Sequence, residues 1–197
     1  MKRIGLMVLA ATLTLFAVSS SFAGVYYFNP TPRADLWDLD HYRYYTWGID
    51  WNHPGETITG AVLTFNNIWD WRVEPDSLYV HLLNNPASGV RAWWDYQGSG
   101  DNFAGQGMNM GTWTDAVGGH PRNYTLTYDL ASLGLIDELN AYASDGVFGF
   151  GFDPDCHYFN DGLSLTVTTT SAVPEPATIA LLTLGLVGAG VVRRRTK

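Results

Sequence analysis

The chain reads as mostly β: an antiparallel, jelly-roll-like β-sandwich with one short helix, flanked by an N-terminal signal helix and a C-terminal transmembrane helix. Three observations carry that reading. Several runs of β-branched and aromatic residues alternate with a period of two. Asn, Asp, Gly and Pro punctuate the spaces between them. Only one segment has helical spacing, so the core must come from packed sheets.

In chain order, Val25–Phe28 and Tyr42–Ile49 are short strands near the N-terminus. Ile58–Phe65 and Ser77–Leu83 are half-buried or buried strands, ended by the turn residues Asn66-Asn67 and Asn84-Asn85-Pro86. Trp93-Trp94-Asp95-Tyr96 leads into a glycine-rich stretch, Gly98–Gly119, which reads as a long flexible loop around Trp113. Tyr124–Leu130 is the next strand. Ala131–Ala143 carries Leu133, Ile136 and Leu139 at helical spacing and stops at Asp145-Gly146. Val147–Phe152 and Leu163–Thr168 are the last two strands, with Asp161-Gly162 as the turn between them. First and last strands of a sandwich often lie side by side, which would bring the two ends of the domain together.

The termini differ from the middle. Lys2-Arg3 is a basic n-region, Ile4–Val18 an apolar h-region, and Ser21-Phe22-Ala23 offers the small residues that a signal peptidase needs. Residues 1–23 therefore read as a signal peptide and residues 24–172 as the working domain. At the other end, Val173-Pro174-Glu175-Pro176 precedes an uncharged apolar run, Ala177–Val192, and then Arg193-Arg194-Arg195-Thr196-Lys197. Pro174 and Pro176 keep their segment extended and accessible. As a helix, roughly 16 residues reach about 24 Å, slightly short of a ~30 Å hydrocarbon core. Snorkelling arginines and local thinning cover the deficit. The basic end stays cytoplasmic, which puts the domain across the membrane.

Residues 173–197 resemble the PEP-CTERM sorting signal of Gram-negative bacteria in the Val-Pro-Glu-Pro, the glycine-containing span and the arginine-rich end. The resemblance implies recognition of Pro174-Glu175-Pro176 by an exosortase, with Arg193, Arg194 and Arg195 as the basic stop. It also implies transient anchoring in the inner membrane, then delivery to the cell surface or exopolysaccharide matrix. It covers the tail alone.

Residues 24–172 hold 5 basic and 18 acidic residues, a net charge of −13, and no lysine. Such a surface repels nucleic acid and anionic lipid. A single cysteine, Cys156, excludes an internal disulfide. Stability must come from packing and from any bound cation.

The densest chemistry lies in Phe152–Gly162, where Asp153, Asp155, Asn160 and Asp161 supply the oxygen ligands that calcium prefers. Asp38 and Asp40, beside Asp35 and His41, form a second acidic cluster that the fold can bring alongside. The spacing is not that of an EF-hand loop, and Asp-Pro and Asn-Asp-Gly are also ordinary turn formers. Both readings stay open. Cys156 and His157 would point to opposite faces of a strand, so a buried, inert thiol is expected rather than a nucleophile.

Eight tryptophans, all between Trp37 and Trp113, supply the other handle. Trp69, Trp71, Trp94 and Trp113 are candidates for stacking on sugar rings, against the alternative that they fill a core. No phosphate loop, nucleophile elbow or His-Glu-x-x-His is present, and no catalytic residue is assigned. The expected protein is a non-catalytic matrix or polysaccharide-associated module, calcium-stabilised. The alternative is a secreted glycoside hydrolase on the same fold, which needs two carboxylates facing across a cleft.

Overall fold

In the computed structural model, residues 21–32, 36–73, 77–96, 99–119 and 124–172 are described. The strands are β1 (Ser21–Phe28), β2 (Asp38–Leu39), β3 (Arg43–Asp50), β4 (Glu56–Phe65), β5 (Trp69–Asp70) and β6 (Leu78–Asn84). They continue as β7 (Gly89–Trp94), β8 (Met108–Trp113), β9 (Leu126–Asp129), β10 (Val147–Pro154), β11 (Tyr158–Phe159) and β12 (Leu163–Ala172). One helix, α1 (Ile136–Ser144), precedes β10. Residues 1–20 of the expected signal peptide, Asp35 and the sorting tail with Pro174, Glu175, Pro176, Arg193, Arg194 and Arg195 lie outside the described residues, whereas residues 21–23 open β1.

The strands form a four-stranded sheet ordered β1-β12-β4-β9, a five-stranded sheet ordered β7-β3-β10-β6-β8, and a small sheet ordered β2-β11-β5. Each pairing whose register is resolved is antiparallel. β10 shows how the sequence makes a layer. Phe148, Phe150 and Phe152 alternate onto one face and are fully buried. Phe152 meets Phe65 of β4 edge-to-face at 5.4 Å, so the two large sheets share one core. β12 contributes Leu163, Leu165 and Val167 to that core by the same alternation. Gly24–Thr170 form one compact unit.

The opposite face of β10 carries Gly149 and Gly151. A Cβ on Gly149 would collide with the Trp47 carbonyl, and one on Gly151 would lie 2.8 Å from the Phe103 ring. Side-chain-free backbone here lets the 84–88 and 99–107 loops rest directly on the sheet.

Two expectations change. Gly98–Gly119 is not a continuous loop, because β8 runs through it and pairs with β6, with a register shift between Val80 and His81. β8 buries only Met110 and has no apolar alternation to reveal it. The helix begins later than Ala131. Asp129 Oδ1 accepts hydrogen bonds from Ala131 N at 2.9 Å and Ser132 N at 3.3 Å, and Gly134 takes φ +72°, so a turn occupies 130–134. Within α1, Asn140 holds β4 by accepting from Ile58 N and donating to Ile58 O, each at 2.8 Å.

Candidate functional site

The four oxygen donors of Phe152–Gly162 are held separately. Asp153 lies at 0% exposure on β10 and accepts from Asn102 N at 2.5 Å. Asp155 accepts from Gly100 N at 3.0 Å. Asn160 is spent on the backbone, donating to Leu36 O at 2.7 Å and accepting from Gly162 N at 2.8 Å. Asp161 is exposed and accepts from Asn67 Nδ2 at 2.9 Å. Among the described residues their carboxylates form no group of three within reach of one ion. The 99–102 loop uses two of them as anchors instead of leaving a cage.

Asp153 is electrostatically unusual. Burial pushes its carboxyl up to about 6, opposed by the Asn102 hydrogen bonds and reinforced by the charges of Asp95 and Asp101. Its Oδ1 is buried and makes no hydrogen bond among the described residues. A raised folded-state value means that the folded form holds the proton more tightly than the unfolded chain, whose aspartate titrates near 3.8. The contribution is therefore full below pH ~4 and is lost as pH rises through about 6, a difference of about 3 kcal/mol. Glu56, held low by hydrogen bonds from Thr169 and Tyr26, and Asp129, held low by Ser132, run the other way. The mutant-minus-parent difference isolates Asp153. Asp153→Asn, neutral at every pH, is expected to match the parent near pH 4 and to melt higher than it at pH 7.5, measured in EDTA. A difference independent of pH would remove the buried-carboxyl account. A calcium-specific gain at pH 7.5 that Asp153→Asn abolishes would tie the expected calcium to this residue.

Asp38 and Asp40 do meet the C-terminal stretch, through His157 and not through its carboxylates. β2 pairs with β11 so that Phe159 faces Asp38 and Tyr158 faces Leu39, and this register sets His157 beside the turn that follows β2. His157 Nδ1 is 3.0 Å from Asp38 Oδ1, and His157 Nε2 is 3.5 Å from Asp40 Oδ1. Cys156 is buried, its thiol 3.6 Å from Asp70 Oδ1.

The tryptophans divide. Trp69 is half-buried and stacks on Phe159 at 4.7 Å, and Trp113 packs between Tyr124 and Tyr158. These two serve packing. Trp71 and Trp94 are exposed, each with a guanidinium over its ring: Arg72 at 4.8 Å and Arg43 at 4.7 Å.

Trp94 belongs to a larger aromatic surface that sequence patterning missed. On the edge strand β7, Trp93 pairs across the ladder with Tyr44 of β3, and their rings stack at 5.5 Å with 16° between planes. Tyr44 and Trp93 separate two shallow depressions. One, of about 380 Å³, is lined also by Thr46, Pro86, Phe103 and Gln106; the other, of about 470 Å³, by Trp94, Tyr96 and Asn102. Phe103 meets Tyr44 edge-on at 5.5 Å and stiffens the pair. Tyr96, beside Trp94, is 91% exposed.

The molecule is thus an antiparallel, mostly β protein that presents an aromatic platform with flanking side-chain amides. The chain carries the PEP-CTERM protein-sorting motif: residues 172–195 match the model of that motif. The motif implies export, processing by an exosortase and a surface or extracellular destination. The β domain lies outside the match, and no curated protein matches the chain.

Proposed function

We propose that the chain is a non-catalytic polysaccharide-binding module, sorted by its tail to the cell surface or extracellular matrix. The observation that carries this reading is the Tyr44–Trp93 pair, set between two depressions with Trp94 and Tyr96 beside it. Flat aromatic faces bind the apolar faces of sugar rings, and the exposed Gln106 offers its side-chain amide to hydroxyls. The strand order supports a jelly-roll. With β7 and the two-residue strands set aside, the remaining eight run 1-8-3-6 in one sheet and 2-7-4-5 in the other.

Charge narrows the ligand. A domain at −13 repels anionic polymers, so the substrate class is a neutral polysaccharide. The test is affinity electrophoresis of the chain in gels containing soluble neutral glucans, mannans or xylans, with alginate as the anionic control. Retardation is expected with at least one neutral polymer, and Trp93→Ala should weaken it about tenfold, equivalent to ~1.4 kcal/mol. Retardation by alginate alone, or equal retardation of Trp93→Ala, would exclude this surface.

A further inference from the structure

The half-exposed cluster of Asp38, Asp40, His41 and His157 does something that neither the platform nor the sorting tail requires. We propose that Asp40, His41 and His157 bind a divalent metal ion of the zinc type, with Asp38 as the carboxylate behind His157.

The donor set comes first. Asp40, His41 and His157 each offer one ligand atom, and these three atoms lie within 4.8 Å of one another. Two imidazoles and one carboxylate suit a borderline cation such as Zn²⁺, whereas calcium takes oxygen ligands. Distances agree with that chemistry. Ligands at 2.0–2.1 Å from a tetrahedral ion sit about 3.3–3.5 Å apart. Asp40 Oδ1 is 3.5 Å from His157 Nε2 and 3.8 Å from His41 Nδ1, and the two imidazole ligand atoms lie within 4.8 Å of each other, so closure on an ion draws the two rings together by up to ~1.4 Å.

The hydrogen bonds orient the donors. Asp38 Oδ1, 3.0 Å from His157 Nδ1, holds the proton of a neutral ring on that nitrogen. Nε2 then turns its lone pair toward Asp40 Oδ1. In that tautomer two acceptors face each other across 3.5 Å, an arrangement that a cation in the gap would satisfy. This is the carboxylate–histidine–metal geometry in which the outer carboxylate fixes the ring and strengthens the ligand. Asp40 Oδ1 is itself aimed by Tyr42 N, which donates to it at 3.0 Å.

The scaffold is firm where the side chains are open. Tyr45, buried in the core, accepts from Asp40 N at 3.0 Å and holds the 40–42 turn against the sheet. The side chains of Asp40, His41 and His157 are 30%, 30% and 32% exposed, open enough for an ion to enter and for water to complete its shell. Because His41 follows β2 and His157 precedes β11, a bound ion would clamp segments more than a hundred residues apart.

Calorimetric titration of the full-length chain, made without a polyhistidine tag, tests this with ZnCl₂ and CaCl₂ as probes. One saturable Zn²⁺ per chain is expected, undisturbed by an equal concentration of Ca²⁺. His157→Gln should abolish that event, His41→Gln should weaken it at least tenfold, and Asp38→Asn should weaken it about 10- to 100-fold. Co²⁺ gives an independent signature, visible d–d absorption that His157→Gln removes. His41 sits in an exposed turn, so His41→Gln reads the site even if the His157 variant misfolds. Zinc binding that survives both histidine changes would place the ion elsewhere, at His53 or His81 for example, and overturn the assignment. So would the absence of saturable binding, or displacement by calcium.

Discussion

Changing Pro174, Glu175 and Pro176 to alanine should stop processing and leave the precursor in the inner membrane. The reason is chemical. Proline fixes φ and lacks a backbone donor, so a Pro-Glu-Pro sequence favours the extended, unpaired peptide that a membrane protease takes up. Left uncleaved, the apolar run behind it should anchor the chain with its arginines cytoplasmic. Fractionation followed by immunoblotting reads the result as a shift of nearly all the protein from the exterior to the inner-membrane fraction. Export of the alanine variant at the parental level would contradict recognition through these residues.

The second large effect concerns the core. Phe152→Ala removes a fully buried ring that contacts Phe65 at 5.4 Å and stacks on Phe150 at 6.4 Å with 18° between planes. The two sheets meet at this point and cannot both close on the void. The expected cost is about 3–5 kcal/mol. At roughly 2–4 °C per kcal/mol for a domain of this size, the melting temperature should fall by about 6–20 °C. Tyr27→Ala is the comparison, because that ring is 75% exposed and its loss should stay within ~0.5 kcal/mol. Near-equal melting of the two variants would mean that the sheets do not pack through β10.

The strands that were legible in sequence share one property: every second side chain is apolar and enters the core between the two large sheets. Phe148-Gly149-Phe150-Gly151-Phe152 and Leu163-Ser164-Leu165-Thr166-Val167 announce themselves because the core accepts every second side chain. β7 and β8 give no such signal. Arg91, Ala92, Trp93 and Trp94 are all exposed on an edge strand, so no alternation exists to read. β8 is a strand because β6 pairs with it across a bulge, a fact held by the partner and not by Met108–Trp113.

The candidate sites follow the same division. Acid richness in Phe152–Gly162 was visible, but the loop that consumes Asp153 and Asp155 comes from residues 100–102, about fifty positions away. Trp94 stood out as a candidate while Trp93 did not, since Trp93 gains its role from Tyr44 across the ladder. The meeting of the Asp38–His41 segment with the C-terminal stretch was anticipated in outline. Its agent, His157, depended on the β2–β11 register, which local sequence does not encode.

The order of strands has a consequence for how this chain comes into being. β10 is the middle strand of the five-stranded sheet, and β12 lies between β1 and β4 in the other. Both centres are made from the last quarter of the described chain, so an emerging N-terminal portion has edges and no middles. Among the described residues, six of the nine ladders must wait for β10, β11 or β12, which makes folding slow and dependent on completion of the chain. For a protein that must thread a membrane before it works, that delay is useful. A chain exported in this order would close its two large sheets only after the final strands arrive.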